Sequence, residues 1–352
     1  MKKKAANNRT VNGWQSGRFD SRIQLQYGAS LPESKRVSGH VPVFGSNGRV
    51  GLHTESLVKG PGIIVGRKGT IGAITWSDED FWPIDTTYYV ESDPSLDLRW
   101  LFYKLQTLAL DKMNTASGTP GLNREEVYRL QIEIPPLPEQ EKVAEILGSV
   151  DEEIQKTDEI IATTEKLKRG LLQKFFKKKK GWHIGRFDNL MVLQRGFDLP
   201  THKRERGVFP LVSSNGITDT HKEAKVKGPG VITGRSGTIG KVFYVERDFW
   251  PLNTTLYVKE FYNNDPMFVY YFLQNFKLER FYSGTGVPTL NRNDVHSKIV
   301  AFPSDKSSQR KIASILQSVD EKILVNKKLK VKLDFLKKGL MKDLLSGKVR
   351  TI

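Results

Sequence analysis

Lys59-Gly60-Pro61-Gly62-Ile63-Ile64-Val65-Gly66-Arg67-Lys68-Gly69-Thr70-Ile71-Gly72 returns as Lys227 to Gly240, with 11 of 14 residues identical. The offset of 168 holds well beyond this stretch. It aligns Gly17-Arg18-Phe19-Asp20 with Gly185-Arg186-Phe187-Asp188, Ser46-Asn47-Gly48 with Ser214-Asn215-Gly216, Phe81-Trp82-Pro83 with Phe249-Trp250-Pro251, and Leu122-Asn123-Arg124 with Leu290-Asn291-Arg292. After one insertion the offset becomes 169, and Ile146 to Glu152 matches Ile315 to Glu321. Two copies this long are whole modules, not the short units of a solenoid.

Each copy has two parts. The first reads as mixed α/β: short β-branched and aromatic runs (Gly62 to Val65, Ile71 to Trp76, Thr86 to Val90) are punctuated by Gly and Pro turns. A helix is expected over Leu98 to Met113 and again over Met267 to Phe281. The second part is helical. Apolar residues recur at Val143, Leu147, Val150, Ile154, Ile161, Leu171 and Phe175, and in the second copy at Ile312, Leu316, Val319, Ile323, Leu333, Leu340 and Leu344. Spacings of three and four make a heptad seam, with about 38 residues and roughly 55 Å per helix. A long apolar stripe needs a partner of matching length. The expected fold class is therefore α+β: two similar mixed α/β domains separated by two long antiparallel helices in a coiled-coil spacer, with pseudo-twofold symmetry. The alternative is that each helix packs on its own module. The expected boundaries are 1–138, 139–180, 181–307 and 308–352.

Composition narrows the function. The 352 residues contain no cysteine, which removes disulfides, thiol nucleophiles and thiolate metal sites. No run approaches the ~20 apolar residues of a membrane span, and the basic start has no apolar segment behind it, so a cytoplasmic location is expected. The net charge of +17 points to a polyanion, nucleic acid first, with a solubilising surface as the alternative. The charge is spread, with +8 of it in residues 308–352.

No catalytic set stands out. Gly60-x-Gly62 followed by Gly66 misses the dinucleotide spacing by one residue, and Gly240-Lys241 lacks both the upstream glycine and the Ser or Thr of a phosphate-cradling loop. Glycines at turns needing positive φ explain this segment better. The six histidines are dispersed. His53 and His221 coincide in the repeat and read as structural or as DNA-facing polar contacts. The Asn/Asp-Pro-Pro-aromatic motif used on flipped bases is absent. No catalytic residue, metal site or cofactor is expected in this chain.

Ile134-Pro135-Pro136-Leu137-Pro138-Glu139-Gln140 ahead of a periodic helix resembles the conserved region of specificity (S) subunits of type I restriction-modification systems. So do Gly13-Trp14, Gly181-Trp182 and the closing Gly339 to Lys348. The resemblance covers nearly the whole chain as recognition domain, helix, recognition domain, helix. One departure is visible: Phe302-Pro303-Ser304-Asp305-Lys306-Ser307-Ser308-Gln309 is a degenerate proline motif, so the two junctions are inequivalent. The resemblance implies a non-catalytic subunit that reads a bipartite target on double-stranded DNA. It also implies two methyltransferase (M) subunits as partners and restriction (R) subunits in the full complex, with S-adenosylmethionine, ATP and Mg held by those partners. The competing reading is a protein-interaction scaffold on a coiled coil.

Residues alike in both copies are expected to be scaffold or phosphate contacts: Lys35, Arg36, Arg67, Asn123 and Arg124 in the first, Lys203, Arg204, Arg235, Asn291 and Arg292 in the second. Lys68, which has Ser236 as its counterpart, is a further candidate for facing phosphate, with plain surface charge as the alternative. Polar segments that differ are the candidate base readers: 38–40 against 206–208, 49–55 against 217–223, and 114–121 against 283–289. For any one of these residues, a solvated loop is the alternative.

Overall fold

A computed structural model of the chain describes residue 11 and residues 13–113, 121–283 and 289–352. The chain divides into two compact units, residues 1–158 with 329–352, and residues 159–328.

In the first unit a four-stranded antiparallel sheet runs in the order Ile23–Tyr27, Thr87–Ser92, Gly62–Gly66, Ile74–Ser77. The repeated glycine-rich stretch therefore supplies a central strand. Side chains alternate across a strand, so Ile63 and Val65 enter the main core while Ile64 joins Phe44 and Phe81 on the other face. Both faces are covered, which is why this strand is apolar throughout. A smaller sheet orders Gly48–His53, Val41–Gly45 and Trp82–Pro83, and Gln15–Arg18 pairs with Gln131–Ile134. The second unit repeats the plan. Val192–Arg195, Thr255–Glu260, Gly230–Gly234 and Val242–Val245 form its larger sheet, and Gly216–His221, Phe209–Ser213 and Trp250–Pro251 the smaller one.

Gly69 and Gly237 take φ of 77° and 80°, as expected for glycines at turns. Gly66 and Gly234 are there for a second reason: a methyl group would collide with the carbonyl of Thr70 or Thr238.

Helix α1 (Leu98–Gln106) packs on the first large sheet, α2 (Arg124–Tyr128) is a short helix, and α3 (Leu137–Phe175) is the first long one. Their counterparts are α4 (Pro266–Phe276), α5 (Arg292–His296) and α6 (Lys306–Leu344). Asp97 caps α1, accepting from Trp100 N, and Asp265 caps α4, accepting from Met267 N and Phe268 N. Both of these helices end earlier than their apolar pattern suggests. Ala109 and Lys277 adopt left-handed backbone (φ 50° and 55°), and the chain continues as 3-10 turns, Leu110–Lys112 and Leu278–Phe281.

The two long helices are antiparallel. In the first unit Asp151 pairs with Lys337 (2.6 Å) and Asp158 with Lys330 (2.5 Å), one heptad further on α3 and one heptad back on α6. In the second unit Glu165 pairs with Lys327 (2.7 Å) and Lys168 with Asp320 (2.6 Å). Each helix begins in the core of its own module and ends in the core of the other. Val143, Ala144 and Leu147 of α3 share the first core with Leu340 and Leu344 of α6. Ile312, Ala313 and Leu316 of α6 share the second with Leu171 and Phe175 of α3. The seam is less apolar than its spacing suggests. Buried Thr157 and Thr164 occupy it, each hydroxyl donating to the carbonyl four residues back.

The degenerate proline motif retains its working part. Gln140 and Gln309 are fully buried, and each does the same two things. The amide oxygen accepts from the N-cap backbone N–H of Asp97 or Asp265 (2.8 Å each), and the amide nitrogen donates to the carbonyl of Pro135 or Pro303 (2.8 Å each). A buried amide satisfied at both ends locks the start of the long helix to its module.

A second twin set tightens the same joint. Tyr103 Oη donates to Asp151 (2.8 Å), whose carboxylate also meets Lys337. Tyr271 Oη donates to Asp320 (2.9 Å), which meets Lys168. Each lysine also lies 5.6 Å from the centre of the tyrosine ring. Burial, more than the adjoining carboxylate, holds both phenols well above the usual tyrosine range, so each stays a donor.

Candidate nucleic-acid interface

Each module gathers its basic residues where the first strand of the large sheet ends beside a short helix. In the first module that strand ends at Tyr27. Arg67 leaves the central strand and donates to the Asp85 carbonyl from Nε (3.1 Å) and Nη2 (2.6 Å). Its guanidinium lies 5.2 Å from the Tyr27 ring centre and 5.9 Å from that of Tyr88. Arg124, the first residue of α2, lies 4.8 Å from the Tyr27 ring and reaches back to the Leu25 carbonyl (3.3 Å). One half-exposed tyrosine thus neutralises part of the repulsion between two arginines through its π face. Beneath it, burial and the neighbouring Tyr27 push the Tyr88 phenol up to about 12. Tyr88 therefore remains a donor, and holds the Leu122 carbonyl at 2.9 Å.

In the second module the same three positions carry Arg195, Leu256 and Asn253. Both rings and the aspartate are gone, and a cavity of about 390 Å³ opens, lined by Gln194, Arg195, Arg235, Leu256, Thr289, Leu290, Asn291 and Arg292. Arg292 donates to the Leu193 carbonyl at 3.5 Å and to the side chain of Gln194. Arg195 is 3.5 Å from Asp198, whose side chain is 67% exposed.

The structure therefore brings Arg67 together with Arg124, and Arg235 with Asn291 and Arg292. Asn123 and Asn291 cap α2 and α5, accepting from the N–H groups of Glu125 and Asn293 at 3.0 Å. Lys68 is exposed next to Arg67, and its backbone bridges to Gly121. Lys35, Arg36, Lys203 and Arg204 lie elsewhere, on the turns that precede the smaller sheets. Lys35 and Lys203 are exposed. Arg36 holds its loop through the carbonyls of Leu31 (3.3 Å) and Val50 (2.9 Å), and Arg204 through Leu199 (3.3 Å). His53 and His221 are structural: both are buried, accept a backbone N–H at 3.1 Å, and stand edge-on to Trp82 and Trp250.

Of the candidate reader segments, 38–40, 49–55, 206–208 and 217–223 are at least partly exposed, apart from His53 and His221. Of 114–121 and 283–289 only Gly121, Ser283 and Thr289 are among the described residues. Among the described residues no group of three or more His, Asp or Glu could hold a metal ion, and no helix is long and apolar enough to cross a membrane. The sequence reading missed Tyr27, Gln194 and Arg195. The signal was present as a mismatch in an otherwise well-matched repeat, Gln26-Tyr27-Gly28 against Gln194-Arg195-Gly196.

Two modules of one plan, each gathering basic residues at an equivalent place, define a duplicated two-module protein. The chain belongs to the family of the type I restriction modification DNA specificity domain, whose model matches residues 13–165 and again 179–334, once per module. It is 25% identical over 273 residues to a Methanocaldococcus jannaschii protein named for the MjaX type I restriction enzyme specificity subunit, covering 67% of this chain and 63% of that protein's length. It is 23% identical over 304 residues to the MjaVIII specificity subunit of the same organism, covering 72% and 71%. The fold matches the crystal structure of a type I restriction-modification system S subunit from M. genitalium with a TM-score of 0.75, over 98% of this chain and 99% of that one, at 20% identity.

Proposed function

We propose that this chain is the sequence-reading, non-catalytic subunit of a type I restriction-modification complex, each module reading one half of a bipartite site on duplex DNA. The twofold match to the DNA specificity domain carries the reading. Its physical counterpart is the pair of arginine clusters at equivalent places, Arg67 with Arg124 and Arg235 with Arg292. These four form the phosphate-facing surface with Lys35, Arg36, Lys68, Lys203 and Arg204, while Asn123 and Asn291 fix the helix starts beside them. Phosphate contacts supply affinity, and the differing loops supply base discrimination. The paired long helices set the distance between the half-sites.

Those helices also carry the M subunits. Ile160 and Leu167 of α3 are 42% and 52% exposed, and their repeat equivalents on α6, Leu329 and Leu336, are 43% and 48% exposed. Phe335, at 80%, and Leu324, at 53%, are further exposed apolar side chains of α6. Apolar pairs one heptad apart on a solvent face mark a helix-docking surface, and the duplication provides two of them, as two M subunits require. S-adenosylmethionine, ATP and Mg belong to the M and R subunits.

Exchanging residues 14–134 for 182–302 tests modular reading: the methylated-adenine pattern in host DNA is expected to become a swapped or repeated half-site, and an unaltered pattern refutes it. Shortening both long helices by two heptads is expected to change the preferred spacer, and an unchanged spacer refutes their role in setting it.

A further inference from the structure

The two arginine clusters differ in one way that the shared reading does not explain. In the first module both arginines are satisfied: Arg67 by a carbonyl and two rings, Arg124 by a ring and a carbonyl. In the second module the equivalent of Tyr27 is itself a cation, Arg195. Three guanidinium side chains (Arg195, Arg235 and Arg292) then line one open cavity of about 390 Å³. Asp198 lies 3.5 Å from Arg195 and is mostly in solvent. Arg235 has no hydrogen-bond, ion-pair or ring partner for its side chain among the described residues. Like charges held around one cavity repel, and an arriving anion removes that cost.

We propose that the Arg195–Arg235–Arg292 cavity of the second module seats a backbone phosphate of duplex DNA, and that the first module, closed by Tyr27, has no such seat. This rests on the reading of the chain as a DNA reader. The chemistry favours phosphate over a base edge. A guanine edge takes one arginine in a bidentate contact, carries no net charge, and leaves the other two cations uncompensated. A phosphate accepts from several guanidinium forks at once, and Gln194 and Asn291 add amide donors at the rim. The two modules therefore grip DNA unequally, the second anchoring through the backbone.

Two variants of the full chain test this. Arg195→Tyr rebuilds one wall of the first module's stack, and Arg235→Gln removes one charge that has no side-chain partner to lose among the described residues. Binding to a fluorescently labelled duplex of random sequence is measured over a range of salt concentrations. Each variant is expected to bind more weakly and to flatten the slope of log K against log salt by about 0.9, the value of one phosphate contact, while the methylation target in the assembled complex stays the same. Binding with an unchanged slope in Arg235→Gln overturns the proposal even if Arg195→Tyr folds poorly. A changed base preference overturns it in favour of base reading. A wild-type chain that binds the duplex with no salt dependence takes down the DNA-reader reading itself, and the phosphate seat with it.

Discussion

The joint between module and long helices is built twice, with the same geometry and different chemistry. In the first unit it is polar. Glu139 is 1% exposed, accepts from Trp14 Nε1 (3.0 Å) and receives Arg350 through Nε (2.6 Å) and Nη2 (2.8 Å). Lys104 is also buried and donates to the Leu345 carbonyl (2.9 Å) at the end of α6, where a cation suits the helix dipole. Burial lowers the affinity of this amine for its proton. In the second unit the same positions hold Ser308, Gly181 and Phe272. Phe176 packs there on Phe268 (5.4 Å between centres) and Phe272 (5.8 Å). Where the polar clamp would sit, a cavity of about 290 Å³ remains, lined by Phe175, Lys179, Trp182 and Ser308 among others. A duplicated joint tolerates either solution provided that the buried polar groups are complete as a set or absent as a set.

The largest expected effect comes from the aromatic joint. Phe272→Ala should lower stability by about 3–5 kcal/mol, the usual range for emptying a packed aromatic site. Lys104→Ala at the equivalent position should cost about 1–3 kcal/mol, the range for a lost buried hydrogen bond. Urea unfolding of the full chain measures both, and equal losses would erase the distinction between the joints. Glu139→Ala leaves the buried Trp14 indole without an acceptor and should cost about 1–3 kcal/mol, whereas Ser308→Ala should stay within about 0.5 kcal/mol. A large Ser308 effect would mean the second joint is also a polar clamp.

The tyrosine–aspartate–lysine sets sharpen the comparison from the other side, because they do not differ. Asp151→Asn and Asp320→Asn should each cost about 1–2 kcal/mol, and by the same amount, for the loss of a charge-assisted contact in a partly exposed site.

The smallest effect is one of pH. In the first module the buried Tyr128 hydroxyl accepts from Leu25 N at 2.9 Å. In the second His296 Nε2 accepts from Leu193 N at 2.9 Å. Burial, helped by Arg292 and Arg186 and opposed by Asp188, holds the imidazole below its usual 6.5. A depressed histidine contributes stability that is present above 6.5 and lost as pH falls through the lower folded value. Thermal melts of the wild type should therefore lose stability below pH 6.5 by more than those of His296→Tyr. Identical pH profiles would refute this role for the histidine.

The duplication was legible because identity at a fixed offset needs no knowledge of contacts, and the long helices because an apolar stripe is a local pattern. The partners were not legible. Tyr103, Asp151 and Lys337 lie far apart in the chain, and nothing local marks them as one set. Arginine and asparagine were ambiguous for a different reason. Arg36 and Arg204 hold carbonyls, and Asn123 and Asn291 cap helices, and sequence alone does not separate such duties from contact with phosphate. The acidic residue three positions after each asparagine, Glu126 and Asp294, was the available hint of a helix start. The helix ends at Gln106 and Phe276 were hidden because their apolar pattern continues through the 3-10 turns.

The matched tyrosines of α1 and α4 have an evolutionary consequence. Each brings the same hydroxyl to a carboxylate on one long helix that an amine on the other already holds, so the helical pair presents the same socket to both modules. Any incoming module that brings a tyrosine at that place can be plugged in by recombination without redesign of the strut. A module lacking it would leave that carboxylate with the lysine but without the hydroxyl, and so lose one tie to the strut.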